Sequence, residues 1–219
     1  QGRAPLPGPH EGVLRQAGER AADGLTADDL DWAFGQYDQL RADLFRRFAT
    51  DGAEFVRQVN DPQVSRLKQT LQKRLAREED LLRDDAAKRQ AKRVERMLGL
   101  AREWMGTLSA LQEQEIARLT MSFPDSLPSW YAHQMYRHEQ LVALLESRQS
   151  DQTAARLEAW LVHQDQDADP HFAEITAQMR RHIKGLVISL DRSATPTQRR
   201  HFLSKLDEVP SLVGDLPAA

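Results

Sequence analysis

Between Pro62 and Gly99 the chain contains neither glycine nor proline. Val64, Leu67, Leu71, Leu75 and Leu82 step along one stripe, while Ala, Arg, Lys, Glu and Gln fill most of the other positions. Straight-chain residues of that kind lose little rotamer freedom in a helix, and apolar steps of three and four place side chains on one face. The spacing predicts helix. The stripe lapses over residues 83 to 93, which hold no large apolar side chain, and resumes at Val94, Met97, Leu98, Trp104 and Met105. A continuous helix over about 63–104 would be about 60 Å long at 1.5 Å per residue, more than a compact domain of this size spans. The expected architecture is therefore an elongated multi-helix bundle with one long central helix bridging two packed regions. The competing form breaks that helix near Asp84-Asp85.

Helix starts are marked four times. Thr26 is followed three residues later by Asp29, Asn60 by Gln63, Ser109 by Gln112 and Thr195 by Gln198. In such a capping box the first side chain accepts from an orphan amide of the first turn, and the second reaches back to the amide of the cap. From Thr26 the positions Leu30, Phe34, Tyr37, Leu44 and Phe48 recur at helical spacing, so one face is expected to be buried, with Asp51-Gly52 as a break before Phe55, Val56 and Val59.

Further amphipathic helices are expected around Leu111 to Leu119, Trp130 to Leu145, Leu157 to Leu161, Phe172 to Leu190 and Phe202 to Leu206. No stretch alternates with period two for long enough to argue a strand. The fold class is all-α. Residues 1–10, with three prolines and two glycines, are expected to form a disordered leader, 11–208 a single helical domain, and 209–219 a flexible tail.

With 30 basic and 33 acidic residues the formal net charge is −3, so no global field draws the protein to nucleic acid. The charges are uneven: about −4 over residues 1–62, about +5 over 63–106 and about −4 over 107–219. There is no cysteine, which removes disulfides, thiolate catalysis and cysteine-ligated metal sites. No apolar run approaches the roughly 18 residues that a membrane-spanning helix needs.

The basic middle offers Arg83, Lys88, Arg89, Lys92, Arg93 and Arg96 as a partner surface, to which the aromatic residues Trp104, Trp130 and Tyr131 add apolar area. Acidic residues are interspersed there, and Asp85 with Arg89 fits helix support at i,i+4, so nucleic acid is not the expected partner. Among the histidines, His133 and His138 stand five apart, off the usual ligand spacing on a helix, and His163 and His171 are split by the acidic loop 164–170. In that loop Asp165, Asp167 and Asp169 alternate as in calcium loops but lack the central glycine and the later glutamate. Neither Gly-x-Ser-x-Gly nor a phosphate-binding Gly-rich loop occurs. No catalytic residue, metal ligand or cofactor site is assigned, and no small-molecule substrate is identified.

The phrases LSALQ at 108–112 and ATPTQRRHF at 194–202 resemble the Leu-Thr-x-x-Gln phrases of the Spy/CpxP periplasmic chaperones. A longer pattern runs from VNDPQ through RLKQTLQKRLAREE and KRQAKRVERMLGLAREWMGTLSALQEQEIARL. It continues through a Pro-containing turn at 123–128 and the HQMYRHEQLVALL helix to TPTQRRHFLSKLDE. Over residues 25 to 207 it resembles an uncharacterised family of helical lipoproteins of Gram-negative bacteria, a domain of unknown function. That resemblance implies a periplasmic envelope protein, tethered to the outer membrane through an N-terminal lipid anchor absent from this chain. It transfers no catalytic residues. The expected function is non-enzymatic, through contacts with an envelope protein partner or an unfolded client in a chaperone-like manner. One alternative is a structural or assembly lipoprotein with a single dedicated partner. Another is a metal-binding or hydrolytic protein using His133, His138 or His163.

Overall fold

The computed structural model describes residues 9–164 and 168–214. Every regular element among them is an α-helix: α1 (Pro9–Ala22), α2 (Ala27–Gln58), α3 (Asp61–Leu82), α4 (Ala86–Met105), α5 (Ala110–Met121), α6 (Leu127–Glu146), α7 (Thr153–Val162), α8 (Pro170–Ser193) and α9 (Pro196–Gly214). The all-α class read from the sequence is what the chain adopts. Helix α1 begins at Pro9, inside the stretch expected as leader, and α9 runs on to Gly214; the remainder of both expected terminal segments lies outside the described residues.

All four capping boxes are made. The Asp29 amide donates to Thr26 Oγ1 at 3.2 Å while the Thr26 amide donates to the Asp29 carboxylate at 3.0 Å. The same reciprocal pair joins Asn60 to Gln63, Ser109 to Gln112 and Thr195 to Gln198. Each satisfies two groups that a helix start otherwise leaves to water, a gain of about 1 kcal/mol per cap. The Thr26 hydroxyl and Arg20 together hold the Asp29 carboxyl down to about 2.

The long central helix expected over 63–104 is instead two helices. Helix α3 ends at Leu82 and is capped by Arg83, whose amide donates to the Asp80 carbonyl, and Asp85 caps α4 by accepting from the Lys88 amide at 2.7 Å. Arg89, one turn into α4, turns its guanidinium back onto the carbonyls of Leu82 and Asp84 and onto the carboxylate of Asp125. The orphan carbonyls at the end of α3 thus have a donor supplied from α4. The i,i+4 ion pair at this point joins Asp84 to Lys88 at 2.6 Å, because Asp85 is occupied as a cap.

The break expected at Asp51-Gly52 does not occur, and α2 continues to Gln58. Gly52 serves packing instead: a Cβ there would lie 3.2 Å from Leu157 Cδ2 of α7. The buried face of α2 also differs from the one expected. Leu30 and Phe34 are half-buried, but Tyr37, Leu44 and Phe48 are more than half exposed, and the buried positions are Ala49, Ala53 and Val56. Small residues let neighbouring helices approach closely, so the narrower stripe took the core and the bulky one was left outside.

Where the sequence suggested one helical domain over 11–208, contacts gather into two compact units. Unit 1 holds Gln1–Tyr37, Ala91–Phe123 and Arg181–Ala219; unit 2 holds Asp38–Gln90 and Pro124–Arg180. Helices α2, α4 and α8 therefore supply residues to both. In unit 1, α1 packs on α9, and Ile116, Phe123, Leu186 and Met105 are buried. Arg199 ties the α9 start to Asp191 at 2.8 Å and to the Ala21 carbonyl at 2.8 Å. In unit 2, α6 packs on α3 and α7 around Ala53, Val56, Val64, Leu144, Leu145 and Leu157. Arg148 of unit 2 donates to the Val59 carbonyl at 2.6 Å and ion-pairs with Asp61, while Arg180 grips Asp38 bidentately at 2.8 and 2.9 Å.

Candidate functional site

The basic segment is largely engaged in structure. Arg83 pairs with Asp80, Lys88 with Asp84 and Arg89 with Asp125 in unit 2; in unit 1 Arg93 donates to the Phe123 carbonyl at 3.2 Å. Lys92 and Arg96 are exposed on α4. Trp130 and Tyr131 are half-buried near the start of α6 in unit 2, whereas Trp104 lies in unit 1 with its ring centroid 5.9 Å from that of Phe202. The candidates thus divide between the units: Arg83, Lys88, Arg89, Trp130 and Tyr131 in unit 2, Lys92, Arg93, Arg96 and Trp104 in unit 1.

The candidate histidines His133, His138 and His163 take separate environments in unit 2. His133 is buried and stacks on Phe172 at 4.0 Å, and His163 closes the end of α7 with its amide on the Ala159 carbonyl. His138 is half-buried at the α3 to α6 contact. Burial, with Arg74 and Arg137 assisting and Glu78 opposing, holds its imidazole below the usual histidine range. Among the described residues no three histidine, aspartate or glutamate side chains come together in a way that would hold a metal ion. Asp165 and Asp167 of the acidic loop lie outside the described residues.

Two apolar features stand out. In unit 1, helices α4, α8 and α9 enclose a half-open pocket of about 460 Å³. Its wall is built from Met97, Ala101, Trp104, Leu186, Phe202 and Leu206 among others, and its charged lining residues are Asp191 and Arg199. The two charges already bond to each other, and the second Asp191 carboxylate oxygen accepts from the Leu25 amide at 2.9 Å. The residues that line it read from sequence as ordinary core stripes; only Leu98, Gly99 and Leu100 in succession, too many uncharged positions for a narrow stripe, hinted at a wider apolar face.

In unit 2, α2 carries Leu44, Phe48 and Phe55 at 52%, 54% and 68% exposure. Steps of four and seven place all three within about 40° of one another on the helix. The ridge is flanked by Arg47, Asp51 and Glu54, all exposed. Large side chains exposed along one line are the usual mark of a surface that meets another.

Fold and surfaces together define an all-α helical protein whose described residues include an apolar pocket and an apolar helix ridge. A model of the family described as "Family of unknown function (DUF6279)" matches residues 3–172, more than half of the sequence, and the chain belongs to that family. No curated protein and no solved structure matches it.

Proposed function

We propose that this is a non-enzymatic binding protein of the bacterial envelope, held in the periplasm by a lipid anchor, that works through protein contacts made by the ridge of α2. The observation that carries this is the alignment of Leu44, Phe48 and Phe55, each more than half exposed on one helix face. Such a ridge gains free energy by burial against the apolar stripe of a partner helix or an unfolded client segment, and the charges of Arg47, Asp51 and Glu54 along its edge fix orientation more than affinity. The envelope setting draws its support from the resemblance to helical lipoproteins. The looser likeness to Spy-type chaperones supplies the chaperone-like version.

The test is suppression of aggregation of a denatured client by the wild-type protein and by the Phe48→Glu, Phe55→Glu double variant. Both positions are exposed, so the variant should keep its urea midpoint. Suppression by the wild type and its loss in the variant is the expected result. No suppression at stoichiometric excess removes the chaperone-like version. A single stoichiometric partner recovered from envelope extract by wild type, and lost in the variant, identifies a dedicated partner instead. Equal behaviour of the two proteins in both assays ends the assignment of the ridge.

A further inference from the structure

The pocket belongs to unit 1, the ridge to unit 2, and the pocket has its own chemistry. Its volume of about 460 Å³ falls in the range of sites that hold small ligands. Along α4 the wall extends from Met97 to Met105, and along α8 from Ile183 to Asp191, in each case about 12 Å at 1.5 Å per residue. Helix α9, which follows α8 after Ala194 and Thr195, contributes Arg199, Phe202 and Leu206 to the lining. The slot is therefore polar where Arg199 meets Asp191, and the rest of its lining is apolar.

We propose that this slot binds a single acyl chain of a lipid-like amphiphile, with the tail against the apolar lining and the head beside the Asp191–Arg199 pair. A peptide segment would bring amide N–H and carbonyl groups that nothing on so apolar a wall can satisfy, and each left unpaired would weaken binding. An acyl chain has no such groups. The two methionines of the wall, Met97 and Met105, are unbranched and adapt to a flexible chain.

The polar pair also sets what is not selected. Arg199 is already bonded to the Asp191 carboxylate and to the Ala21 carbonyl, and Asp191 to the Leu25 amide, so the pair is neutral and its hydrogen bonds are made. Discrimination should therefore fall on chain length, not on head-group charge.

The experiment is displacement of a fluorescent fatty acid from the intact chain by saturated fatty acids of increasing length, by alkyl ammonium ions and neutral monoacylglycerols of matched length, and by an apolar peptide. Expected is one saturable site, tightening about four-fold per added methylene until the slot is full and then levelling off, with little dependence on head charge. Incubation with phospholipid vesicles, followed by separation and extraction of protein-bound lipid, separates the two sources: recovered phospholipid means the chain is taken from a bilayer lipid, and its absence means the free acid is the ligand. Leu100→Glu, at a lining residue 43% exposed, should weaken binding at least ten-fold while keeping the urea midpoint; Ala101→Phe, at a buried lining position, should weaken binding as much but with a lowered midpoint. Absence of saturable binding, affinity that ignores chain length, displacement by the peptide as effective as by the fatty acid, or unchanged affinity in both variants would each overturn the assignment.

Discussion

The side-chain amides of Gln112 and Gln198 face one another, each nitrogen donating to the other's oxygen at 3.0 Å. Each glutamine is also the back-reaching member of a capping box, so its oxygen accepts from its own cap amide as well. The remaining hydrogens go to the carbonyls of Ser193 at 3.0 Å and Thr107 at 2.7 Å. Both residues are buried, and every donor they own is used. Gln112→Ala and Gln198→Ala should each cost about 2 to 3 kcal/mol, because each strands the partner amide in a dry site. The double variant should cost less than the sum by about 1 kcal/mol or more, as urea unfolding of the four proteins of the cycle would reveal.

Arg89 fixes the break between α3 and α4. Arg89→Ala removes the donor that Asp125 shares with the Leu82 and Asp84 carbonyls, and should lower the urea midpoint. Arg89→Lys should recover little of this, since an ammonium cannot serve a carboxylate and two carbonyls with a planar fork. Urea midpoints of the two variants decide it.

Glycines of α4 divide by environment. Gly99 has nothing within 4 Å of where a Cβ would stand, so Gly99→Ala should stabilise by about 0.5 to 1 kcal/mol through helix propensity. Gly106, just past the end of α4, has φ of +76° while its amide donates to the Arg102 carbonyl at 2.9 Å. Gly106→Ala should destabilise by about 1 kcal/mol, a change of opposite sign in the same assay.

His138 links unit 2 to pH. Burial foremost, then Arg74 and Arg137, lower its pKa against the opposing pull of Glu78, so the folded protein prefers the neutral ring. The unfolded chain takes up the proton first, near the ordinary histidine value of about 6.5, and stability should fall as pH drops below that point and hold above it. Urea midpoints across neutral to mildly acid pH should show this slope. His138→Leu should flatten it.

The four helix starts were legible because a capping box is made within four residues and needs no tertiary partner. Features decided by distant residues were not. Nothing local says that Arg89 reaches both Asp125 and the end of α3, so a continuous helix was the natural expectation for residues 63 to 104. Asp51-Gly52 looked like a stop because the need for Gly52, the approach of Leu157, arises about a hundred residues later in the chain. On α2 two stripes competed: the bulky one of Tyr37, Leu44 and Phe48, and the small one of Ala49, Ala53 and Val56. Hydrophobic size favoured the first, close packing took the second, and the exposed ridge of the proposed contact is what remained. The pocket was hidden for a related reason, since its wall is shared among three helices whose stripes each resemble a core face.

The packing of α1 against α9 has a consequence for synthesis. The Ala21 carbonyl receives Arg199 only after 178 residues of separation have been closed, so unit 1 cannot be completed until its final helix has been made. Contacts so distant in sequence slow folding, and the apolar walls of α4 and α8 stay uncovered in the meantime. A chain interrupted before α9 would carry three finished capping boxes, because Gln198 of the fourth lies within α9, and would present to proteases and to neighbouring chains the surface that α9 covers.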